Sequence, residues 1–121
     1  MNIFNYMVEY CAADDRTLDD ALSALADPTR RAIMAALREG ELRVTEIAAP
    51  FDMSLNAVSK HVKKLESANL VQRRRIGREH FVSAKPATIE KTAQWFDAQR
   101  KFWNTRLDKL ETLMMEEERD E

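Results

Sequence analysis

Residues 44–81 read VTEIAAPFDMSLNAVSKHVKKLESANLVQRRRIGREHF. The pattern predicts a short helix, a turn, a second helix studded with Lys and Ser, and a strand–turn–strand carrying four arginines. Thr45 is a candidate cap for a helix over 46–49, which Pro50 ends, and Phe51, Asp52 and Met53 form the turn. Ser54 caps a helix that runs to residue 68, and Asn69 tolerates the left-handed backbone at its end. Residues 70–74 and 79–83 are strand candidates joined by residues 75–78, with Gly77 supplying the positive φ of the turn. Each piece suits a duplex: the second helix fits a major groove, and a basic hairpin beside it reaches the flanking phosphates.

On a helical wheel at about 100° per residue, Leu55, Val58, Val62 and Leu65 fall together and face a core. Asn56, Lys60, Lys63, Lys64 and Ser67 point the other way, with Ser59 and His61 on the borders. An amide can pair with adenine, and an ammonium with guanine or phosphate. At about 1.5 Å per residue the helix is long enough to cross a groove roughly 12 Å wide. The same wheel describes an ordinary amphipathic surface helix, and it is the preceding helix and turn that favour the groove. Strand side chains alternate faces, so the arginines cannot all point one way. Arg74, Arg75 and Arg78 are the candidate phosphate or minor-groove contacts, while Arg73 could cover the sheet. Glu79 is expected to pair with a wing arginine, and His80 to pack.

The charge distribution agrees. The chain carries −2 overall, yet residues 54–85 hold eight Lys or Arg against two acids. Positive charge is thus gathered in one quarter of an otherwise acidic chain, as a phosphate-binding face requires. The 121 residues suffice for one domain with a core; 45% are hydrophobic and 33% charged. Two Gly and three Pro favour a mostly helical fold. No apolar run spans a bilayer, and the N-terminus does not read as a secretory signal. A single cysteine, Cys11, excludes an intrachain disulfide and suits a reducing, cytoplasmic setting.

Outside that stretch, residues 3–11 place Phe4, Met7, Val8 and Cys11 at helical spacing. A second helix covers 17–25. Asp27 and Pro28 begin a third, with Ile33, Met34 and Leu37 inward and Gly40 as its stop. Pro86 opens a last long helix reaching about residue 117, along which Ile89, Ala93, Phe96, Trp103, Leu107, Leu110 and Met114 follow a 3–4 spacing. Trp95, Phe102 and Leu113 lie beside that stripe. So broad a band must bury itself on more than its own small domain. The expected dimer interface comprises Phe4, Met7, Ile89, Phe96, Phe102, Trp103, Leu107, Leu110 and Met114; a purely intramolecular core helix, or an effector pocket among the aromatics, is the alternative. No repeat or linker appears, so 1–121 is expected to be a single domain: dimerisation helices at about 1–16 and 86–117, the helix–turn–helix at about 44–69, and the wing at about 70–84.

The runs LADPTRRAIMAAL (25–37), SLNAVSKHVKKLESANLV (54–71) and RRRIGREHFVSA (73–84) resemble the ArsR family of winged-helix regulators. FWNTRLDKLETL (102–113) is similar to one of its subgroups, and the resemblance covers roughly residues 18–114. It implies a mainly α winged helix–turn–helix with a small β-hairpin wing, dimerising through N- and C-terminal helices. It further implies a bacterial homodimer that binds a palindromic operator, often its own, and represses transcription. Ser54, Asn56, Ser59, Lys60, His61, Lys63 and Lys64 are then the groove residues, and Thr29, Arg30 and Arg31 candidate phosphate contacts at a helix N-terminus.

Metal-sensing members carry ELCVCDL in the short helix; here Arg43 and Thr45 stand at the thiolate positions. Residues 86–121 contain neither His nor Cys. No metal and no cofactor are expected. Asn69 replaces the family's usual Gly. Two rival readings remain: a winged-helix protein-interaction module, and a redox-responsive repressor using Cys11. An enzyme is not expected, because no nucleophile–base pair or Gly-rich phosphate loop is visible. An unknown small-molecule or protein effector remains open.

Overall fold

Asp27 and Pro28 set the first firm boundary. Asp27 caps helix α2 (Pro28–Ala36), its carboxylate accepting the Arg30 backbone N–H, and Pro28 occupies a position where an N–H would lack a helical partner anyway. The computed structural model describes residues 16–120; the expected helix over 3–11, with Phe4, Met7 and Cys11, lies outside them. Residues 16–25 form helix α1. After α2, a tighter turn (Leu37–Glu39) ends at Gly40, whose φ of 131° is a conformation other residues rarely adopt. Then come β1 (Leu42–Arg43), α3 (Val44–Ala48), α4 (Leu55–Ser67), β2 (Val71–Ile76), β3 (Glu79–Ala84) and α5 (Pro86–Asp120).

The strands form one antiparallel sheet in the order β1-β3-β2. The β2–β3 ladder runs from Val71 opposite Ala84 to Ile76 opposite Glu79. Only Gly77 and Arg78 remain as the turn, with Gly77 at φ 63°. The hairpin is therefore tighter than its sequence predicts, because Arg75 and Ile76 extend the ladder. β1 is too short to show any alternation in sequence; it is held by pairing Leu42 with Val82 and Arg43 with Phe81.

Ile33, Ile47, Val58, Val62, Leu65, Leu70, Val71 and Val82 are fully buried and draw α2, α3, α4 and the sheet onto one core. Two expectations change. α3 starts earlier than predicted: Arg43 is its N-cap and its backbone N–H donates to the Glu46 carboxylate at 3.1 Å, so Thr45 lies inside the helix. Leu55 is 49% exposed rather than in the core, because it opens α4 one turn ahead of Val58, where packing begins.

By its contacts the chain falls into two compact units, Met1–Ile89 and Glu90–Glu121. The second unit is the remainder of α5. Along it Phe96, Phe102, Trp103, Leu107, Leu110, Leu113, Met114 and Met115 are each more than half exposed. Trp95 meets Phe96 edge to face at 5.1 Å, Phe102 meets Trp103 at 5.5 Å, and the Arg106 guanidinium sits 5.2 Å over the Phe102 ring. Among the described residues no helix is long and apolar enough to cross a membrane.

Candidate nucleic-acid interface

Ser54 starts α4 by accepting the Ala57 N–H at 3.1 Å, a cap that sets the phase of everything after it. With Val58, Val62 and Leu65 turned into the core, Asn56, Lys60, Lys63 and Lys64 are exposed on the opposite face and Ser59 is half-buried at the border. An amide, a hydroxyl and three ammonium groups thus share one exposed helix surface. Asn69 closes α4 at φ 63°. Its side chain does what the family's glycine could not: Oδ1 accepts from Lys85 Nζ at 2.6 Å, and Nδ2 donates to Thr88 Oγ1 at 3.3 Å. Those bonds tie the end of α4 to the start of α5.

At the start of α2, Thr29 is half-buried and Arg31 exposed, while the Arg30 side chain is only 17% exposed. Arg30 is turned toward the end of α1. Its Nε donates to Ala24 O at 2.6 Å, and Arg31 Nη1 donates to Leu25 O at 2.8 Å. The last carbonyls of a helix have no helical donors, so these two arginines supply them. Arg30 Nη1 also lies 3.3 Å from His61 Nδ1, which stands 3.5 Å from Asp27 Oδ2. His61 is therefore a half-buried link between α4 and the capped start of α2, and it is not on the exposed face.

On the wing, Arg74 Nε and Nη2 donate to the two Glu41 carboxylate oxygens at 2.8 and 2.6 Å, and its guanidinium lies 5.4 Å over Phe81. These bonds hold the Glu41 carboxyl below its ordinary value and raise Arg74. Arg75 Nε donates to Gly77 O at 2.8 Å, bracing the turn, and Arg78 is exposed at its tip. Glu79 does not pair with a wing arginine: it accepts from Arg43 Nη1 at 3.0 Å, across from β1. Arg73 lies on the inner face of the hairpin, 4.0 Å from Glu66. Among the described residues no three or more His, Cys, Asp or Glu gather as a metal-ligand set.

The predicted groove residues of α4 and the predicted wing arginines thus belong to one unit, on two elements that share a core. Sequence reasoning missed Glu41 and Arg43, because a pair 33 or 36 residues apart leaves no local pattern.

Residues 25–74 match the family model described as a helix-turn-helix domain. The chain is 38% identical over 92 residues to the HTH-type transcriptional regulator Rv2034 of Mycobacterium tuberculosis, across 76% of this chain and 83% of that one. It is similar to the crystal structure of an ArsR family transcriptional regulator, with a TM-score of 0.68 and 33% identity over 73% of this chain and 97% of the other. It also resembles the solution structure of a homodimeric winged helix-turn-helix DNA-binding domain from Mycobacterium bovis, a possible ArsR-family regulator, with a TM-score of 0.61 and 26% identity over 75% and 85% of the two chains.

Proposed function

The chain belongs to the ArsR family of winged helix–turn–helix transcriptional regulators, which bind DNA and are not enzymes, and we propose that it acts as a homodimer that represses transcription from a palindromic operator, its own included. The observation that carries this reading is the exposed face of α4. Asn56, Lys60, Lys63 and Lys64 stand out from a helix that buries Val58, Val62 and Leu65, so the polar groups are fixed in position by the core. Ser54, Asn56 and Ser59 are assigned to base edges and the lysines to guanine or phosphate. Arg75 and Arg78 are assigned to backbone phosphates beside the groove, joined by Arg74 when it exchanges Glu41 for a phosphate.

The second copy follows from α5. Its apolar residues, exposed in one chain, are the surface that a twin covers, and a relative of the same fold is described as homodimeric. A two-fold axis then sets the two α4 helices to successive major grooves, about 34 Å apart. An effector acting on the dimer helices would alter that separation and bias the protein between binding and non-binding states.

The test is binding of the purified protein to its own upstream DNA at several salt concentrations, with and without a chelator and a reductant. Tight, sequence-dependent and salt-dependent binding that ignores the chelator is expected. Binding lost on chelation would overturn the metal-free reading. No binding at any salt would favour a protein-interaction module.

A further inference from the structure

Among the described residues, three buried side-chain nitrogens lack a hydrogen-bond partner: Arg73 Nε, Arg73 Nη2 and His80 Nδ1. Both residues line the same surface groove, between the start of α4 and the inner face of the wing. We propose that this groove is a phosphate site, occupied by the backbone of the duplex that α4 reads. The inference rests on the DNA-binding function above and adds Arg73 and His80, neither a predicted site residue, to its contacts.

The sheet register brings the two residues together. Arg73 lies opposite Val82, and Arg75 opposite His80, so Arg73 and His80 are diagonal neighbours on the face that carries buried Val82. Thr45 from α3 and Leu55 and Ser59 from α4 complete the walls, with Arg43, Arg78 and Glu79 at the groove as well. The acids nearby do not satisfy the arginine. Glu79 is engaged by Arg43 Nη1 at 3.0 Å, and Glu66 stands 4.0 Å from Arg73 Nε, beyond hydrogen-bond reach. Of the three guanidinium groups at the groove, Arg43 is held by Glu79 at 3.0 Å and Glu46 at 3.2 Å, which leaves Arg73, with only Glu66 at 4.0 Å, and Arg78 to meet an anion.

Buried donors are costly without an acceptor, and a guanidinium fork flanked by two hydroxyls and an imidazole is a donor set suited to a tetrahedral oxyanion. Position selects the source. Ser59 borders the exposed face of α4, and Arg78 is the tip of the wing. A backbone that leaves the groove read by α4 and passes the wing must run between them. Arg73 then holds the α4–wing angle against the duplex, giving register rather than sequence choice.

The experiment is fluorescence anisotropy with duplexes that carry a single uncharged methylphosphonate at each backbone position in turn. Wild type, Arg73→Gln and Arg73→Lys are compared across a salt series, with thermal melting as a check on folding. Arg73→Gln should lower the slope of log affinity against log salt by about 0.9, the contribution of one phosphate, while Arg73→Lys retains most of it. One methylphosphonate position should weaken wild type and leave Arg73→Gln unchanged. Gln72→Ala, exposed on the outer face of the same strand, should behave as wild type.

If Arg73→Gln does not fold, His80→Ala carries the same coupling test. Salt-dependent wild-type binding with no position coupled to Arg73 or His80 would overturn the phosphate site alone. No duplex binding by wild type would overturn the DNA-binding function with it. Saturable binding of inorganic phosphate that Arg73→Gln abolishes, without coupling to any backbone position, would overturn the DNA source and assign the groove to a free phosphorylated ligand.

Discussion

Val62 and Trp103 are both apolar residues on helices, and they meet opposite surroundings. Val62 on α4 is fully buried, whereas Trp103 on α5 is 59% exposed. The first unit closes its own core with α2, α3, α4 and the sheet, and it displays polar groups. The second displays the apolar side chains themselves, and contiguous apolar surface of that kind marks an interaction site. One region buries its apolar side chains and the other leaves them exposed, and the proposed homodimer assigns the second to a twin.

The comparison breaks most severely if its folded half is hollowed out. Leu65→Ala should cost about 2–5 kcal/mol of stability, read by denaturant unfolding, because the methyl groups leave a cavity among fully buried neighbours. The opposite change belongs to α5. Trp103→Glu with Leu107→Glu should leave the unfolding of the first unit intact but shift the protein from dimer to monomer in sedimentation. Its DNA affinity should fall roughly 100-fold, about 2.7 kcal/mol. Monomers that bind as tightly as wild type would sever the link between the two regions.

Smaller changes sharpen the reading face. Asn56→Ala should cost about 1–3 kcal/mol on the preferred sequence and relax the choice of base there, measured by competition between duplexes. Arg78→Ala should weaken all sequences alike; a changed preference would mean that the wing reads bases. Ser54→Ala removes the cap that phases α4 and should lower stability by about 1 kcal/mol in thermal melts.

The smallest effect is at Glu41. Its carboxyl is held below the ordinary value by the Arg74 hydrogen bonds, so the pair contributes above the unfolded-state value and is lost as pH falls through the lowered folded value. The pair is exposed, so Glu41→Gln should lower stability slightly at neutral pH, and the gap to wild type should close in acid.

Local chemistry made most of this fold legible. Asp27–Pro28, Ser54 and Gly77 mark their own boundaries, because caps and turns depend on residues within three positions of one another. The spacing of Val58, Val62 and Leu65 fixed which face of α4 is outward. What escaped depends on distance along the chain. β1 exists only through its pairing to Val82 and Phe81, and Arg74 meets an acid 33 residues away. Arg30 carries the same side chain whether it faces solvent or the carbonyls of α1, so its inward turn had no sequence signal. Arg73 and His80 turn inward as the strand alternation predicts, but only the register, which no local pattern reveals, makes them neighbours.

The most direct measurement is the affinity of wild type and of the Trp103→Glu/Leu107→Glu variant for a duplex from the chain's own upstream region, at matched salt. Wild type is expected to bind tightly and the monomeric variant far more weakly, while melting shows its first unit still folded. Equal affinities would contradict a repressor whose two reading helices work as a pair.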